Sequence, residues 1–183
     1  TRELEASAEA LLQAILGADA SLGRMTQLLM ARTQGNPFFL EESVRTLVET
    51  GVLVGERGAY RLAKPLDTLQ VPATVQALLA ARIDRLPPED TRLLQTAAVI
   101  GPEVPWALLH AIADTSDEAL YRSLARLQAA EFLYETSLFP ERVYTFKHAL
   151  THTVASEGLL HERRRALHAR IVEALEALAG DRL

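Results

Sequence analysis

His148 and His152 come closest, in residue type and spacing, to a metal site. They stand four residues apart at the start of a predicted helix, which places both imidazoles on one side of it. A metalloprotease needs a glutamate directly after the first histidine as general base, and Ala149 occupies that position. His161 and His168 follow nearby without completing a ligand set. The spacing therefore predicts no metal site.

The residues needed for nucleophilic catalysis or nucleotide hydrolysis are missing from the sequence. There is no cysteine and no Gly-x-Ser-x-Gly elbow. A phosphate-binding loop requires a lysine after glycine and before serine or threonine, and neither Lys64 nor Lys147 meets that requirement. Glu41 and Glu42 face different directions on a helix, so we predict that both are solvated. No catalytic residue is predicted, and this chain by itself is expected not to be an enzyme.

A basic run at Arg163-Arg164-Arg165, followed by Arg170, has the composition of a nucleic-acid patch. Acidic residues Glu157, Glu162 and Glu173 interrupt it, which favours a charged, solvated helix face. The net charge of -5 and the pI of about 5.6 also weigh against a polyanionic partner. We therefore do not expect nucleic acid to be a partner.

Composition limits the class of protein. Hydrophobic residues at 49% and charged residues at 23% are typical of a globular chain. No apolar run approaches the roughly 18 residues that span a bilayer, so no membrane partner is expected. The lack of cysteine fits a reducing compartment, and we predict a cytoplasmic location. Because the chain begins at Thr1 and opens directly into a helical pattern, we expect a piece cut from a larger protein.

The first part of the chain is predicted to be a small helical bundle with a β-hairpin. Apolar residues at helical spacing indicate three helices, and the third begins at Pro37, where a missing N–H costs nothing. Residues 52–62 alternate around Gly55 and Gly58 as a hairpin does. The segment 63–69 is typical of a linker, so we assign residues 1–68 to this domain. The predicted inward residues are Leu4, Ala8, Leu11, Leu12, Ile15, Leu16, Met25, Leu28, Leu29, Phe39, Leu40, Val44, Leu47 and Val48.

The second predicted domain, residues 69–183, contains four helices, a hairpin and two terminal helices. Thr115 and Glu118 have the spacing of a capping box at the start of the fourth helix, Asp117 to Ala130. Runs 132–135 and 143–146 are β-prone and form the predicted hairpin. Three helices followed by a hairpin are the outline of a winged helix. The last helix, 162–178, is expected to bury Leu167, Ile171, Leu175 and Leu178. The fold class is therefore mainly α, a helical bundle with a hairpin followed by a winged-helix domain and C-terminal helices.

Three segments, in order, resemble the bacterial STAND-type signalling ATPases. These are AAA+-related, NB-ARC-like proteins fused to class III adenylate or guanylate cyclases, or to LuxR-type regulators. TQGNPFFLEE, residues 33–42, resembles the segment after their ATPase core. VPATVQALLAARIDRLP at 71–87, followed by AAVIG at 97–101, resembles the start of their winged-helix part, and residues 146–176 resemble its end. Together the three segments reach across nearly the whole chain.

The resemblance implies a nucleotide site shared with a missing upstream core. In the family, a Gly-x-Pro at a helix start places its proline beside adenine, which corresponds here to Gly35, Asn36 and Pro37. A histidine at the start of a winged-helix helix reaches the β-phosphate of ADP, which corresponds to His148. Ala149 departs from the aspartate that often follows that histidine. ADP or ATP with Mg²⁺ is expected in the parent, with none tightly bound to this chain.

These implications predict a regulatory fragment that closes over a nucleotide held by the parent ATPase. Its partners would be the upstream core and a fused effector domain, for which the family offers a nucleotide cyclase as one example. Two alternatives stay open at this stage. One is a DNA-binding winged-helix regulator, and the other is a protein-interaction scaffold that uses the amphipathic helix 162–178.

Overall fold

The computed structural model describes residues 2–66 and 71–182. The chain forms two compact units, Thr1–Arg82 and Ile83–Leu183, and each has its own structure, given in turn below. The sequence-based boundary between residues 68 and 69 lies outside the described residues. Across the described part of the chain the structure is mainly helical, with short strands.

The first unit is a set of helices with a two-stranded hairpin. Its helices are α1 (Arg2–Leu16), α2 (Gly23–Thr33), α3 (Pro37–Glu49) and most of α4 (Val75–Asp84), and a 3-10 turn lies at Ala20–Leu22. Strands β1 (Leu53–Glu56) and β2 (Ala59–Leu62) pair antiparallel, with Leu53 opposite Leu62. The predicted helix start at Pro37 and the predicted hairpin are confirmed. Its most deeply buried side chains include Leu12, Leu16, Met25, Leu29, Leu40, Leu53 and Leu78.

Gly17 is the position at which α1 meets the turn of the hairpin. Its φ of +92° lies in the left-handed region that glycine tolerates. The Gly58 N–H donates to the carbonyl of Ile15 across 2.8 Å, and a Cβ on residue 17 would overlap the Gly58 carbonyl. A glycine at position 17 therefore lets the end of α1 and the hairpin pack directly on each other.

The second unit combines helices with a three-stranded antiparallel sheet. Its elements are α5 (Pro88–Ile100), β3 (Glu103–Pro105), α6 (Trp106–Ile112), α7 (Asp117–Ala129), β4 (Leu133–Ser137), β5 (Val143–Phe146), α8 (Ala149–Glu157) and α9 (His161–Gly180). The strand order is β3-β5-β4, so β5 is central. Helix α5 packs against α7, α8 and α9, and α6 packs against α9. Strand β3 was not predicted, because three residues that include a proline give no alternation to detect.

Several side chains predicted to face inward are exposed. Leu4 is 74% exposed, Leu28 47% and Leu175 51%. Periodicity identifies the apolar face of a helix but not how far a neighbouring element extends along it. Leu4 lies in the first turn of α1, and Leu175 lies in the second half of α9, beyond the packed residues Leu167 and Ile171. These three positions were predicted wrongly for that reason.

The predicted capping box at Thr115 and Glu118 is also wrong. Ser116 is the N-cap of α7, and its Oγ accepts a hydrogen bond from the Ala119 N–H at 3.2 Å. The helix thus begins one residue later than that motif requires, so the third helical position holds an alanine that cannot return a bond to the cap.

Candidate functional site

The turn between α2 and α3 carries the predicted residues Gly35, Asn36 and Pro37. Gln34, the C-cap of α2, has the left-handed conformation with φ +52°, and Gly35 follows with φ +77°. Asn36 caps α3, because its Oδ1 accepts from the Phe39 N–H at 3.1 Å. Two consecutive left-handed residues reverse the chain within a short space and place Pro37 in the first turn of α3.

Pro37 is an exposed apolar ring on a rigid helix start. Its φ is locked and it has no N–H to satisfy, while the Asn36 side chain is engaged in capping. Gly35 is half-buried, and a Cβ there would lie 3.3 Å from the Ala8 side chain on α1. Pro37 therefore presents a rigid apolar ring, positioned by the capping of α3 and by the packing of the turn on α1, which suits contact with a planar ring.

His148 caps the start of α8 in the second unit. Its Nδ1 accepts a hydrogen bond from the Leu150 N–H at 3.0 Å, so in the neutral ring the proton resides on Nε2. The side chain is exposed at a helix N-terminus, where backbone N–H groups and the helix dipole favour anions. This arrangement makes the Nε2–H a donor suited to an oxygen of a phosphate group.

His152 has a different environment from His148. Its Nε2 lies 2.8 Å from the Ala98 carbonyl oxygen, and its ring forms a T-shaped contact with Phe146, with 5.1 Å between the ring centroids. The two histidines, although four residues apart, therefore engage separate partners. Within residues 2–66 and 71–182, no group of three or more His, Cys, Asp or Glu side chains is arranged to hold a metal ion.

The predicted site residues belong to two different compact units. The structure brings Gly35, Asn36 and Pro37 together in one turn, and it places His148 at a helix start of the other unit. The turn at residues 35–37 and the start of α8 each have the local geometry described above.

A buried ion-pair cluster in the first unit was missed. Arg82 on α4 is 2% exposed and pairs with Glu42, and it also binds Glu49 through Nη2–Oε1 at 2.7 Å and Nε–Oε2 at 3.3 Å. The prediction that Glu42 is solvated is wrong, because this carboxylate is 3% exposed. The ion pair with Arg82 compensates the charge of this buried carboxylate.

A sequence signal for that cluster does exist. Residues 39, 42, 46 and 49 follow helical spacing on α3, so Glu42 shares a face with Phe39 and Thr46. Arg82 likewise follows Leu78 and Leu79 on the inward face of α4. Charged residues inside two apolar stripes indicate a buried pair, although only the fold shows that these stripes meet.

A second buried network joins α5 to α7. Asp90 is fully buried and accepts from Ser123 Oγ at 2.6 Å, and from Nε and Nη2 of Arg126 at 2.7 Å each. Burial opposes ionisation of Asp90, but the hydrogen bonds from Arg126 and Ser123 and the positive charge of Arg126 outweigh it. The pKa of Asp90 is consequently held below its ordinary value.

The protein's single tryptophan lies in an aromatic cluster of the second unit. Trp106 stacks on Tyr121 with 4.7 Å between ring centroids. The Arg142 guanidinium lies 6.0 Å from the Trp106 ring and 5.8 Å from the Tyr121 ring, within the range of cation–π attraction. Fluorescence of Trp106 therefore reports on the packing of α6, α7 and the residue preceding β5.

Comparisons with known proteins give a partial similarity to a curated protein. No family model matches the chain. A stretch of 96 residues is 33% identical to a protein named glutamate racemase from Klebsiella pneumoniae (strain 342), covering 51% of this chain. The aligned stretch spans 31% of that protein's length. No helix within the described ranges is both long and apolar enough to cross a membrane.

Proposed function

We propose that this chain is the regulatory, nucleotide-sensing part of a STAND-type signal-transduction ATPase. It would act as a conformational switch and would not catalyse a reaction by itself. Three ordered segments of resemblance support the family, and the element order α5, β3, α6, α7, β4, β5 in the second unit supports a winged helix. Under this proposal α7 is the second helix of the helix-turn-helix.

The observation that carries the proposal is the geometry of His148. The family resemblance requires a histidine at a helix start that can donate to a phosphate of ADP. His148 is exposed at the start of α8, and its bond from the Leu150 N–H leaves Nε2 as the proton-bearing nitrogen. Pro37, with its exposed ring on the start of α3, has a form that suits contact with adenine.

In the proposed mechanism the parent's ATPase core holds the nucleotide phosphates and Mg²⁺. Pro37 contacts the adenine and His148 donates to the β-phosphate, so both units favour the ADP-bound resting state. Exchange for ATP removes the histidine contact and releases the fused effector. The nucleotide can shift this equilibrium only through its differential affinity for the two states, typically about 1–3 kcal/mol.

Calorimetry with ADP tests this proposal in the chain extended upstream through its ATPase core. His148→Ser keeps an N-cap acceptor for α8 but lacks the imidazole donor. Loss of one charged hydrogen bond is expected to weaken ADP binding by about tenfold or more and to raise basal output of the effector. His161→Ser, at an exposed histidine in the first turn of α9, is the matched control and should change neither quantity.

Two outcomes would contradict the proposal. ADP affinity that is equal in wild type and His148→Ser would remove the role assigned to that residue. Exchange of the Cα proton of glutamate for deuterium by the chain would favour an activity like the one named for the partly similar racemase, and would contradict a purely regulatory role.

A further inference from the structure

A cleft of about 660 Å³ lies within the second unit and is lined by α5, α7, α9 and residues 112–115. Each helix contributes one face at spacing i, i+3, i+4 and i+7, for example 89, 92, 93 and 96 on α5, or 163, 166, 167 and 170 on α9. Neither the turn at residues 35–37 nor His148 contributes to its walls. The cleft is therefore separate from the residues of the proposed nucleotide switch.

Arginine dominates the polar lining of this cleft. Five guanidinium groups face two carboxylates, Glu89 and Asp114, which leaves an excess of three positive charges, or of two when the buried Asp90 is counted as well. The five arginines are Arg92, Arg122, Arg126, Arg163 and Arg170. The basic run at 163–165 is thus not only the solvated helix face that its composition predicted, because Arg163 and Arg170 face into this cleft.

Four of the five cleft arginines form no ion pair with a carboxylate in the described residues. Arg126 is engaged with Asp90 and Glu89. Among residues 2–66 and 71–182, the guanidinium groups of the other four arginines have no carboxylate partner. The fold gathers like charges from three helices that are separated in sequence, which is unfavourable unless solvent or a bound anion screens them.

The large apolar side chains of the cleft contribute little exposed surface. The leucine and isoleucine side chains that line it are almost entirely covered, with Leu93 7% exposed, Ile112 2%, Leu120 1% and Leu167 6%. An amphipathic acidic peptide would need an apolar anchor, and these residues do not provide one. We therefore expect recognition to depend mainly on charge and hydrogen bonds, and guanidinium groups bind phosphate oxygens in a paired, planar geometry.

We propose that this cleft binds a compact polyanion with two or more closely spaced phosphate groups. Its volume lies in the range of about 300–1,000 Å³ typical of small-molecule sites. The net charge of -5 on the whole chain disfavours an extended polyanion such as duplex DNA, whereas the local positive charge acts within a Debye length of about 8 Å. The inference does not depend on the proposed nucleotide switch.

Calorimetric titration of the chain with sodium tripolyphosphate tests this proposal. The double variant Arg122→Gln/Arg170→Gln removes two cleft charges that have no partner in the described residues, so its fold should be retained. We expect its affinity for tripolyphosphate to be at least about tenfold weaker. The control Arg24→Gln/Arg165→Gln makes the same charge change at exposed residues outside the cleft, and its affinity should stay within about twofold of wild type. Circular dichroism verifies that each variant is folded.

Three results would overturn the proposal. One is the absence of saturable binding of tripolyphosphate at low ionic strength. Another is an equal loss of affinity in the cleft and control variants, which would show a diffuse charge effect. The third is tighter binding of a short DNA duplex, lost in the cleft variant, which would assign the surface to nucleic acid. Weaker binding of orthophosphate than of tripolyphosphate is expected, because one phosphate cannot engage arginines on three helices.

Discussion

The buried ion-pair cluster shows how one buried charge constrains its neighbours. It consists of Glu42, Arg82 and Glu49. Arg82 is inaccessible to solvent and Glu42 nearly so, while the Glu49 side chain is 33% exposed. A buried ion pair adds little stability compared with apolar residues of the same volume, since both charges lose hydration. Removing one partner alone lowers the stability much more than replacing both, because the other charge then stays buried and uncompensated. The main effect of the pair is therefore to restrict α3 and α4 to one packing register.

Replacing Arg82 by methionine tests that requirement. We expect Arg82→Met to lower the free energy of unfolding by about 3 kcal/mol, because Glu42 stays buried and loses its ion pair with Arg82. Adding Glu42→Leu should recover most of this loss. Urea unfolding followed by far-ultraviolet circular dichroism measures both variants, with Arg24→Met as an exposed control. A loss below about 0.5 kcal/mol in the single variant, the range of ordinary surface substitutions, would show that the buried pair is not formed.

At the scale of elements, helix starts and helix–helix links were predictable to different degrees. The α3 start at Pro37 follows from local chemistry, whereas the α7 start depends on which of two adjacent hydroxyl residues caps it. Ser116, rather than Thr115, is the N-cap. The link between α5 and α7 through Asp90 joins residues that are 36 positions apart, and no local pattern reveals it.

The Asp90 link predicts a stability that depends on pH. The folded-state pKa of Asp90 lies below its ordinary value, so on acidification the unfolded chain binds the proton first. The contribution of Asp90 is fully present at neutral pH and is lost as the pH falls below about 4 and through the folded-state pKa. Thermal unfolding monitored by Trp106 fluorescence should show this decline in wild type.

Asp90→Asn provides the comparison for that measurement. This variant should be less stable than wild type at neutral pH, because the charged bond to Arg126 is lost, and its decline with acid should be shallower. Asp84→Asn, at an exposed aspartate, is the control and should keep the wild-type slope. Equal slopes in Asp90→Asn and wild type would contradict the link.

At the scale of the whole molecule, each compact unit has its own hydrophobic core. The core of the first unit includes Leu12, Leu40 and Leu78, and that of the second includes Leu108, Ile112 and Ile171. Trp106 lies in the second unit, so its fluorescence follows that unit alone, whereas circular dichroism follows the helices of both. The two probes can thus separate the stabilities of the units.

The unfolding transitions of Arg82→Met, followed by circular dichroism and by Trp106 fluorescence, test whether the two units unfold separately. Glu42 and Glu49, which form ion pairs with Arg82, belong to the first unit, and this unit has its own core and can in principle unfold by itself. We expect an early transition in the circular dichroism of the variant, with the Trp106 transition at its wild-type midpoint. Coincident shifts in both probes would instead show that the chain unfolds as one cooperative body.

The sequence by itself determined the mainly helical architecture and the positions of both hairpins. The helical periodicity, the helix start at Pro37 and the alternation within strands each involve only a few neighbouring residues. Such short-range patterns can be recognised in a single sequence. The resemblance to the STAND family and the roles assigned to Gly35, Asn36, Pro37 and His148 also come from the sequence, and ADP binding tests them.

Only the tertiary structure decided which faces are covered and which distant residues meet. The exposure of Leu4, Leu28 and Leu175, the burial of Glu42 against Arg82, and strand β3 all depend on partners far along the chain. The arginine-lined cleft has the same origin, because Arg92, Arg122 and Arg170 converge only when three helices pack. Local propensity carries no information on such contacts, since their energy depends on the distance and solvation that the complete fold establishes.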